Sequence, residues 1–261
     1  MSVSTNLTGI LTGILTGWRD ITLATIFPFA CRVCDRPVTR LEDGVGCGDC
    51  WGELAERLAG SETCTKCGVI LRDGARVGAG ERECGRCRGL SFVAARSVGP
   101  HEGVLRESVL WLKRHPQIGQ RLERMIGEAW TRLPDPQGFD GVIPIPLHPR
   151  RQARRSFNQA EVIGRRIGRA SGCRLETVSL TRVRDTERHR LGMGDEERAR
   201  SLRGAFAVVA PRLVRDRRLL LVDDVLTTGS TADEAARTLL ECGAREVALL
   251  TISRVERVRR R

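Results

Sequence analysis

The cysteines constrain this chain most, because eight of the ten fall into four pairs with the spacing C-x2-C. The intervals between successive pairs are 12, 13 and 16 residues. A C-x2-C turn holds two thiolates on one side of a tight loop, which is half of a tetrahedral zinc site. Glycines such as Gly46 and Gly68 allow the positive φ and close backbone approach that these turns need. The spacing predicts two structural zinc ions, held by Cys31, Cys34, Cys47, Cys50, Cys64, Cys67, Cys84 and Cys87.

The sequence leaves open which cofactor the cysteines bind, how the four motifs pair and what the module does. A redox or iron–sulfur cluster would use the same residues, although the even pairing favours zinc. Sequential pairing of the motifs gives two ribbons, and an interleaved cross-brace also fits the spacing. A short stretch rich in Gly and Arg cannot build a core unaided, so zinc is expected to supply folding free energy. The module serves either as a scaffold or as a docking site for nucleic acid or a partner protein.

From Phe92 onward the pattern changes to strands that alternate with helices. Apolar runs predict strands at 92–98, 141–146, 217–223 and 246–253. Helical spacing of apolar residues predicts helices at 102–114, 119–133, 158–170 and 230–242. This alternation predicts an α/β fold, a parallel sheet with helices on both faces.

The segment Leu219–Thr231 carries the strongest chemical signal. An apolar run ends in Asp223 and Asp224, and a turn of Thr, Gly and Ser then opens a predicted helix. Ligands of open α/β sheets bind at the carboxyl ends of strands. Backbone N–H groups at a helix N-terminus, with hydroxyls around them, bind phosphate, and Gly229 permits close approach. The two carboxylates suit the hydroxyls of a sugar, so the pattern predicts a site for a ribose phosphate.

This segment resembles the signature of type I phosphoribosyltransferases: a hydrophobic strand, Asp-Asp, Val, then Thr-Thr-Gly-Ser-Thr. The Val-Asp-Asp strand end of response regulators, by contrast, lies near the chain start and lacks the Thr-rich turn. The resemblance implies that Thr227–Thr231 hold the 5′-phosphate of phosphoribosyl pyrophosphate, with Mg²⁺, and that the two aspartates bind the ribose 2′- and 3′-hydroxyls. The predicted donor-binding residues are Asp223, Asp224, Val225, Leu226, Thr227, Thr228, Gly229, Ser230, Thr231, Lys113 and Arg155.

The order of features narrows the resemblance. A cysteine-paired module, then IPIPLHPRR at 143–151, RSFNQ at 155–159 and the phosphate loop, is similar to the ComF family over about residues 26–254. That family implies an association with natural competence, uptake of single-stranded DNA and DNA-processing partners. Its usual Gly, Gln and Asn are replaced here by Ser156, Arg188 and Ser201. These departures leave the phosphate loop at Leu219–Thr231 intact. They are expected to affect the part of the site that binds the acceptor or the pyrophosphate.

The whole chain is predicted to comprise a leader at 1–28, weakly helical, a double zinc ribbon at 29–90, a phosphoribosyltransferase-like domain at 91–255 and a basic tail at 256–261. The run 182–200 is expected to form a mobile hood over the site. Lys113 is one of only two lysines, which suggests a phosphate or pyrophosphate contact, although an ordinary solvated helix position fits the sequence as well. The arginines at 150, 151, 154 and 155 contact pyrophosphate or nucleic acid, or form a solvated basic face.

The net charge of +12 favours a polyanionic ligand, unless it reflects compositional drift towards arginine. No stretch approaches the ~20 apolar residues of a membrane span, and the start lacks the features of a signal peptide. The sequence therefore predicts a cytoplasmic protein without a membrane span. Three functions fit: a phosphoribosyl transferase with an unknown acceptor, a non-catalytic competence protein that binds single-stranded DNA or a nucleotide, and a regulator that senses the donor. The intact Asp223 and Asp224 favour donor binding, and no general base is evident.

Overall fold

The computed structural model describes residues 29–71, 84–85, 87, 89–185 and 195–256 of the chain. Outside these ranges lie the predicted leader helix, the position of Arg188 with much of the predicted hood (186–194), and the end of the basic tail (257–261). Within the described residues, no helix combines the length and apolar character that a membrane crossing requires.

The described residues form six strands and seven α-helices. The strands are β1 (Ala94–Pro100), β2 (Gly141–Pro144), β3 (Leu180–Arg182), β4 (Phe206–Val208), β5 (Arg218–Leu226) and β6 (Glu246–Arg254). The helices are α1 (Gly48–Leu58), α2 (Gly103–Leu112), α3 (Gln120–Thr131), α4 (Pro149–Arg155), α5 (Gln159–Ser171), α6 (Asp195–Leu202) and α7 (Ser230–Glu241). Four strands form a parallel sheet in the order β1-β6-β5-β2, and β3 pairs with β4 in a separate antiparallel hairpin.

Both faces of the parallel sheet are covered, as the alternation of elements predicts. Along β5, Leu219 and Leu221 pack in one buried cluster with the apolar residues of α7 and of the β3–β4 hairpin. Leu220 and Val222 point to the opposite cluster, which contains the apolar residues of α2, α3 and α5. Side chains alternate across a strand, and a parallel strand covered on both faces therefore reads as a continuous apolar run.

The first cysteine module joins this core. Trp51 and Leu54 of α1 are buried in the same cluster as Leu105 of α2. A Cβ at Gly46 would lie 2.4 Å from Val104 Cγ2, so glycine is required where the module meets α2. The first ribbon is thus stabilised by apolar burial in addition to its metal site.

Several elements differ from the prediction. Strand β5 continues past Asp223 to Leu226, because its register with β6 extends to the pair Leu226 and Arg254. Helix α1, which was not predicted, begins between Cys47 and Cys50. Helix α4 and the β3–β4 hairpin were not predicted, because these short segments are rich in arginine and lack a clear apolar period.

Candidate functional site

The phosphate-loop segment forms the turn between β5 and α7. Gly229 is the N-cap of α7 and has φ +91°, a left-handed conformation that glycine adopts without strain. Leu90 covers this glycine: a Cβ built there would lie 3.3 Å from Leu90 Cδ1. Thr228 Oγ1 accepts a hydrogen bond from the Ser230 backbone N–H at 3.3 Å and lies 2.9 Å from Ser230 Oγ. The turn presents hydroxyls and the amino end of a twelve-residue helix at one point, a combination that suits an anion.

The two carboxylates lie directly before this turn. The Asp224 N–H donates to Asp223 Oδ1 at 2.8 Å. Burial, and secondarily the charge of Asp224, raise the pKa of Asp223 to about 8. At neutral pH the Asp223 carboxyl therefore retains its proton. A protonated carboxyl can donate as well as accept hydrogen bonds, which suits the hydroxyl groups of a sugar.

Lys113 lies at this acid pair. It is the C-cap residue of α2, and its Nζ is 3.8 Å from Asp224 Oδ2. The sequence left open whether Lys113 is a solvated helix residue; the fold brings its ammonium group to the carboxyl edge of the sheet. His101 is half-buried nearby, with Nδ1 2.7 Å from Ser253 Oγ. Burial and the charge of Lys113 lower the pKa of His101.

Arg182 on β3 is a basic residue near the acid pair that the sequence did not single out. It is buried, its guanidinium lies 5.5 Å from the Phe206 ring centroid, and its charge acts to lower the pKa of Asp223. Asp185 follows it and lies 3.4 Å from Arg151 Nε and 3.7 Å from His148 Nδ1. In the sequence, Arg182 is marked only by the arginine-rich run that contains it. That run does not distinguish a buried arginine from its solvated neighbours.

The RSFNQ motif has a structural explanation. The Asn158 side chain caps α5 by accepting from the Ala160 N–H at 3.1 Å, and it donates to the Ile145 carbonyl at 3.0 Å. Arg155 donates a hydrogen bond to Gln159 Oε1 at 2.9 Å. Its predicted contact with phosphoribosyl pyrophosphate stays a prediction. Ser156 has φ +63°, which explains why the resembled family uses glycine there.

The cysteines form two clusters by sequential pairing, which excludes the cross-brace among the described residues. Cys31, Cys34, Cys47 and Cys50 make one group, and Cys64, Cys67, Cys84 and Cys87 make the other. Their close Sγ–Sγ distances are 3.6 to 3.7 Å in the first group and 3.4 to 3.7 Å in the second. A tetrahedral ion with Zn–S bonds of ~2.3 Å requires sulfur–sulfur edges of about 3.8 Å. The residues present therefore fit zinc.

In each cluster one thiol has neighbours that favour the thiolate that zinc needs, whereas burial raises the pKa of Cys50, Cys67 and Cys87. Hydrogen bonds from Arg36 lower the pKa of Cys34 to about 6. Burial opposes ionisation of Cys64, but the N–H groups of Cys67 and Cys84 lower its pKa to about 7. Thiolates are the ligand form for Zn²⁺, so both shifts act in the direction of metal binding.

The second zinc cluster contacts the phosphate turn. Lys66, between Cys64 and Cys67, donates from Nζ to the Leu90 carbonyl at 2.8 Å. Leu90 in turn lies over Gly229, and the next residue, Ser91, donates from its N–H to Asp233 Oδ1 at 2.6 Å. Arg254, at the end of β6, donates to the Cys67 carbonyl at 2.6 Å. The ribbon and the turn are thus one connected structure.

A zinc-ribbon module built onto a phosphoribosyltransferase-type domain is the class of protein that this fold and these sites define. Family models agree, with a double zinc ribbon domain matching residues 22–88 and a phosphoribosyl transferase domain matching residues 150–258. The chain is 31% identical over 238 residues to DNA utilization protein YhgH of Salmonella typhi, covering 87% of this chain and 97% of that protein. It is 34% identical over 116 residues to competence protein F of Haemophilus influenzae, covering 44% of this chain and 50% of that one. The chain belongs to this family, the ComF family indicated by the order of its motifs.

Solved structures of other proteins match part of the chain. The glutamine phosphoribosylpyrophosphate amidotransferase of B. subtilis matches 55% of this chain and 30% of its own, at 18% identity and a TM-score of 0.35. A likeness at this distance identifies no function.

Proposed function

We propose that this protein binds phosphoribosyl pyrophosphate with Mg²⁺ and transfers the phosphoribosyl group to an acceptor. The observation that supports this function is the convergence of three groups at the carboxyl end of β5: the acid pair, the turn at Gly229 and the ammonium group of Lys113. Donor recognition requires a phosphate site, a diol site and a cation for pyrophosphate, and these groups offer all three.

Each group has a role in this proposal. Thr227–Thr231 bind the 5′-phosphate through N–H groups and hydroxyls, and Asp223 with Asp224 bind the ribose hydroxyls. The carboxylates also supply the oxygen ligands that Mg²⁺ prefers, and a bound Mg²⁺ would offset charge on the departing pyrophosphate. Lys113 and Arg182 provide further positive charge at the same edge of the sheet. Groups already held in place stabilise developing charge without reorganisation.

The test is a thermal shift with the donor and Mg²⁺, followed by a pyrophosphate-release screen over nucleobases. The donor should raise the melting temperature, because a ligand bound only by the native state stabilises it. Asp223→Asn with Asp224→Asn should abolish that shift. Glu53→Gln with Glu56→Gln, on the exposed face of α1, removes the same formal charge and should leave the shift intact. An unchanged shift in the aspartate double variant would place the donor elsewhere, and donor binding without pyrophosphate release would favour a sensor.

A second candidate function is binding of single-stranded DNA. The relatives are named for DNA utilization and competence, and this chain carries a net charge of +12 with exposed Arg150 and Arg154 on α4. We propose weak, sequence-tolerant binding whose log affinity falls with log salt at about −0.7 per neutralised phosphate. Arg150→Gln with Arg154→Gln should reduce that slope, whereas Arg165→Gln with Arg169→Gln, on exposed α5 positions, should not. Competition between donor and DNA would indicate one shared pocket, while joint binding favours the enzyme.

The cysteine clusters bear on location and partners. Zinc thiolate sites need reduced cysteines, which the cytosol maintains. We therefore propose a cytoplasmic protein, with competence or DNA-processing proteins as partners of the zinc module. Fractionation of cells expressing the tagged protein tests the location.

A further inference from the structure

The end of α2 brings aromatic and basic side chains together outside the donor pocket. The Trp111 carbonyl accepts from the N–H groups of both Arg114 and His115 at 2.9 Å, so the chain turns back on itself. This turn stacks the His115 ring on Trp111, with centroids 3.9 Å apart and planes 25° from parallel. An aromatic stack preformed by the backbone needs no further ordering when a ligand joins it.

The first zinc ribbon completes this cluster from the other side. The Arg32 guanidinium, between Cys31 and Cys34, lies 5.5 Å from the Trp111 ring centroid, within cation–π distance. Phe29 meets the same ring edge-on at 5.9 Å. Trp111 packs partly against the core, but its ring and that of His115 stay half-exposed, in a chain with only 4% aromatic residues.

A cavity of about 240 Å³ lies against this cluster, lined by Arg32, Leu110, Trp111, Lys113, Arg114 and His115. Arg32 pairs with Glu107 at 3.8 Å, whereas Arg114 is exposed and, among the described residues, no carboxylate pairs with it. Lys113 also connects the cavity to the acid pair through its 3.8 Å contact with Asp224. The cavity is therefore cationic, partly aromatic and next to the proposed donor site.

We infer that this cavity binds a nucleotide unit of single-stranded nucleic acid, with the base on the Trp111–His115 stack and its phosphates at Arg32 and Arg114. Every base has a face that stacks on aromatic rings, and arginine contributes both phosphate contact and cation–π attraction. This inference rests on the second candidate function and adds a stacking contribution to the electrostatic binding given there. It places a base beside Lys113, where an acceptor for the phosphoribosyl group would be needed.

The experiment separates stacking from charge by salt titration of a labelled single-stranded oligonucleotide. Trp111→Leu and His115→Ala should each weaken binding about 5- to 150-fold, since one stacked base contributes ~1–3 kcal/mol, and should leave the salt slope unchanged. Arg114→Gln should instead reduce the slope by about 0.7. Arg165→Gln on α5 is the matched control and should change neither quantity.

An abasic strand of equal length identifies what the aromatic residues bind. Trp111→Leu and His115→Ala should not weaken its binding, because it offers phosphates without a base. Equal loss on normal and abasic strands would overturn the inference, as would full affinity of both aromatic variants. His115→Ala changes only a half-buried turn residue, so it answers the question if Trp111→Leu fails to fold. Wild-type protein that binds no strand at low salt would remove the DNA function together with this site, while the donor thermal shift would still report the transferase pocket separately.

Discussion

The backbone N–H of Ser91 donates a 2.6 Å hydrogen bond to the Asp233 carboxylate. This bond joins the end of the second zinc ribbon to the first turn of α7, the helix that carries the phosphate turn. The Leu90 side chain, one residue earlier, lies over Gly229. The second metal site therefore supports the candidate ligand site, whereas the first ribbon packs into the core beneath α2.

This difference predicts unequal effects of removing the two zinc ions. Cys31→Ser and Cys64→Ser should each reduce the bound zinc from two ions to about one, as counted by metal analysis. Cys64→Ser should also reduce the donor-induced thermal shift by at least half. The reason is that Leu90 and Ser91 are held in place by the second ribbon, which this substitution disrupts. Cys31→Ser should lower the melting temperature and keep the shift. Equal donor responses in the two variants would show that the ribbons do not differ in this way.

Gly229→Ala tests the conformation of the turn. An alanine at φ +91° is strained by about 1–2 kcal/mol and its Cβ would also meet Leu90 at 3.3 Å. Stability should fall by about that amount, and the donor-induced thermal shift should disappear as the turn moves. Gly127→Ala on α3, where a Cβ meets nothing within 4 Å, should raise stability by up to ~1 kcal/mol through helix propensity. Retention of the full donor shift in Gly229→Ala would contradict a close approach of phosphate.

The raised pKa of Asp223 predicts how stability depends on pH. Because its folded pKa of about 8 exceeds the unfolded value of ~3.9, the native state binds the extra proton and loses stability as pH rises between those values. Asp223→Asn removes this loss and keeps the Oδ1 acceptor for the Asp224 N–H. Urea unfolding from pH 6 to 9 should show the variant gaining stability over the wild type up to pH 8 and levelling off above it. A difference that stays flat or reverses would refute the assignment.

Ser156→Gly should stabilise the protein by about 1 kcal/mol, because it relieves a side chain held at φ +63°. Ser156→Ala keeps the Cβ and should give no such gain. The comparison by denaturant unfolding isolates backbone strain from any loss of the hydroxyl. A gain in both variants would instead implicate the hydroxyl group.

Much of the fold was predictable because it depends on local patterns. The apolar runs of β5 and β6 and the helical spacing in α3 and α5 reflect burial that repeats along the chain. The C-x2-C pairs predicted the zinc ligands for the same reason, since each half-site is built within four residues. The β3–β4 hairpin was missed, because its three-residue strands are too short to show a period.

The ligand-bearing segments follow from local residue patterns: the cysteine pairs, the Asp223–Asp224 strand end and the Thr-rich turn. The residues that surround them follow from the packing of distant elements. Lys113 lies 111 positions before Asp224, and Arg182 lies 41 positions before Asp223. The fold nevertheless brings both basic residues to the acid pair at the edge of the sheet. The contact of Leu90 with Gly229 and the stack of Arg32 on Trp111 likewise join separate modules. Such contacts depend on how helices and ribbons pack on a twisted sheet, which no local pattern of residues specifies.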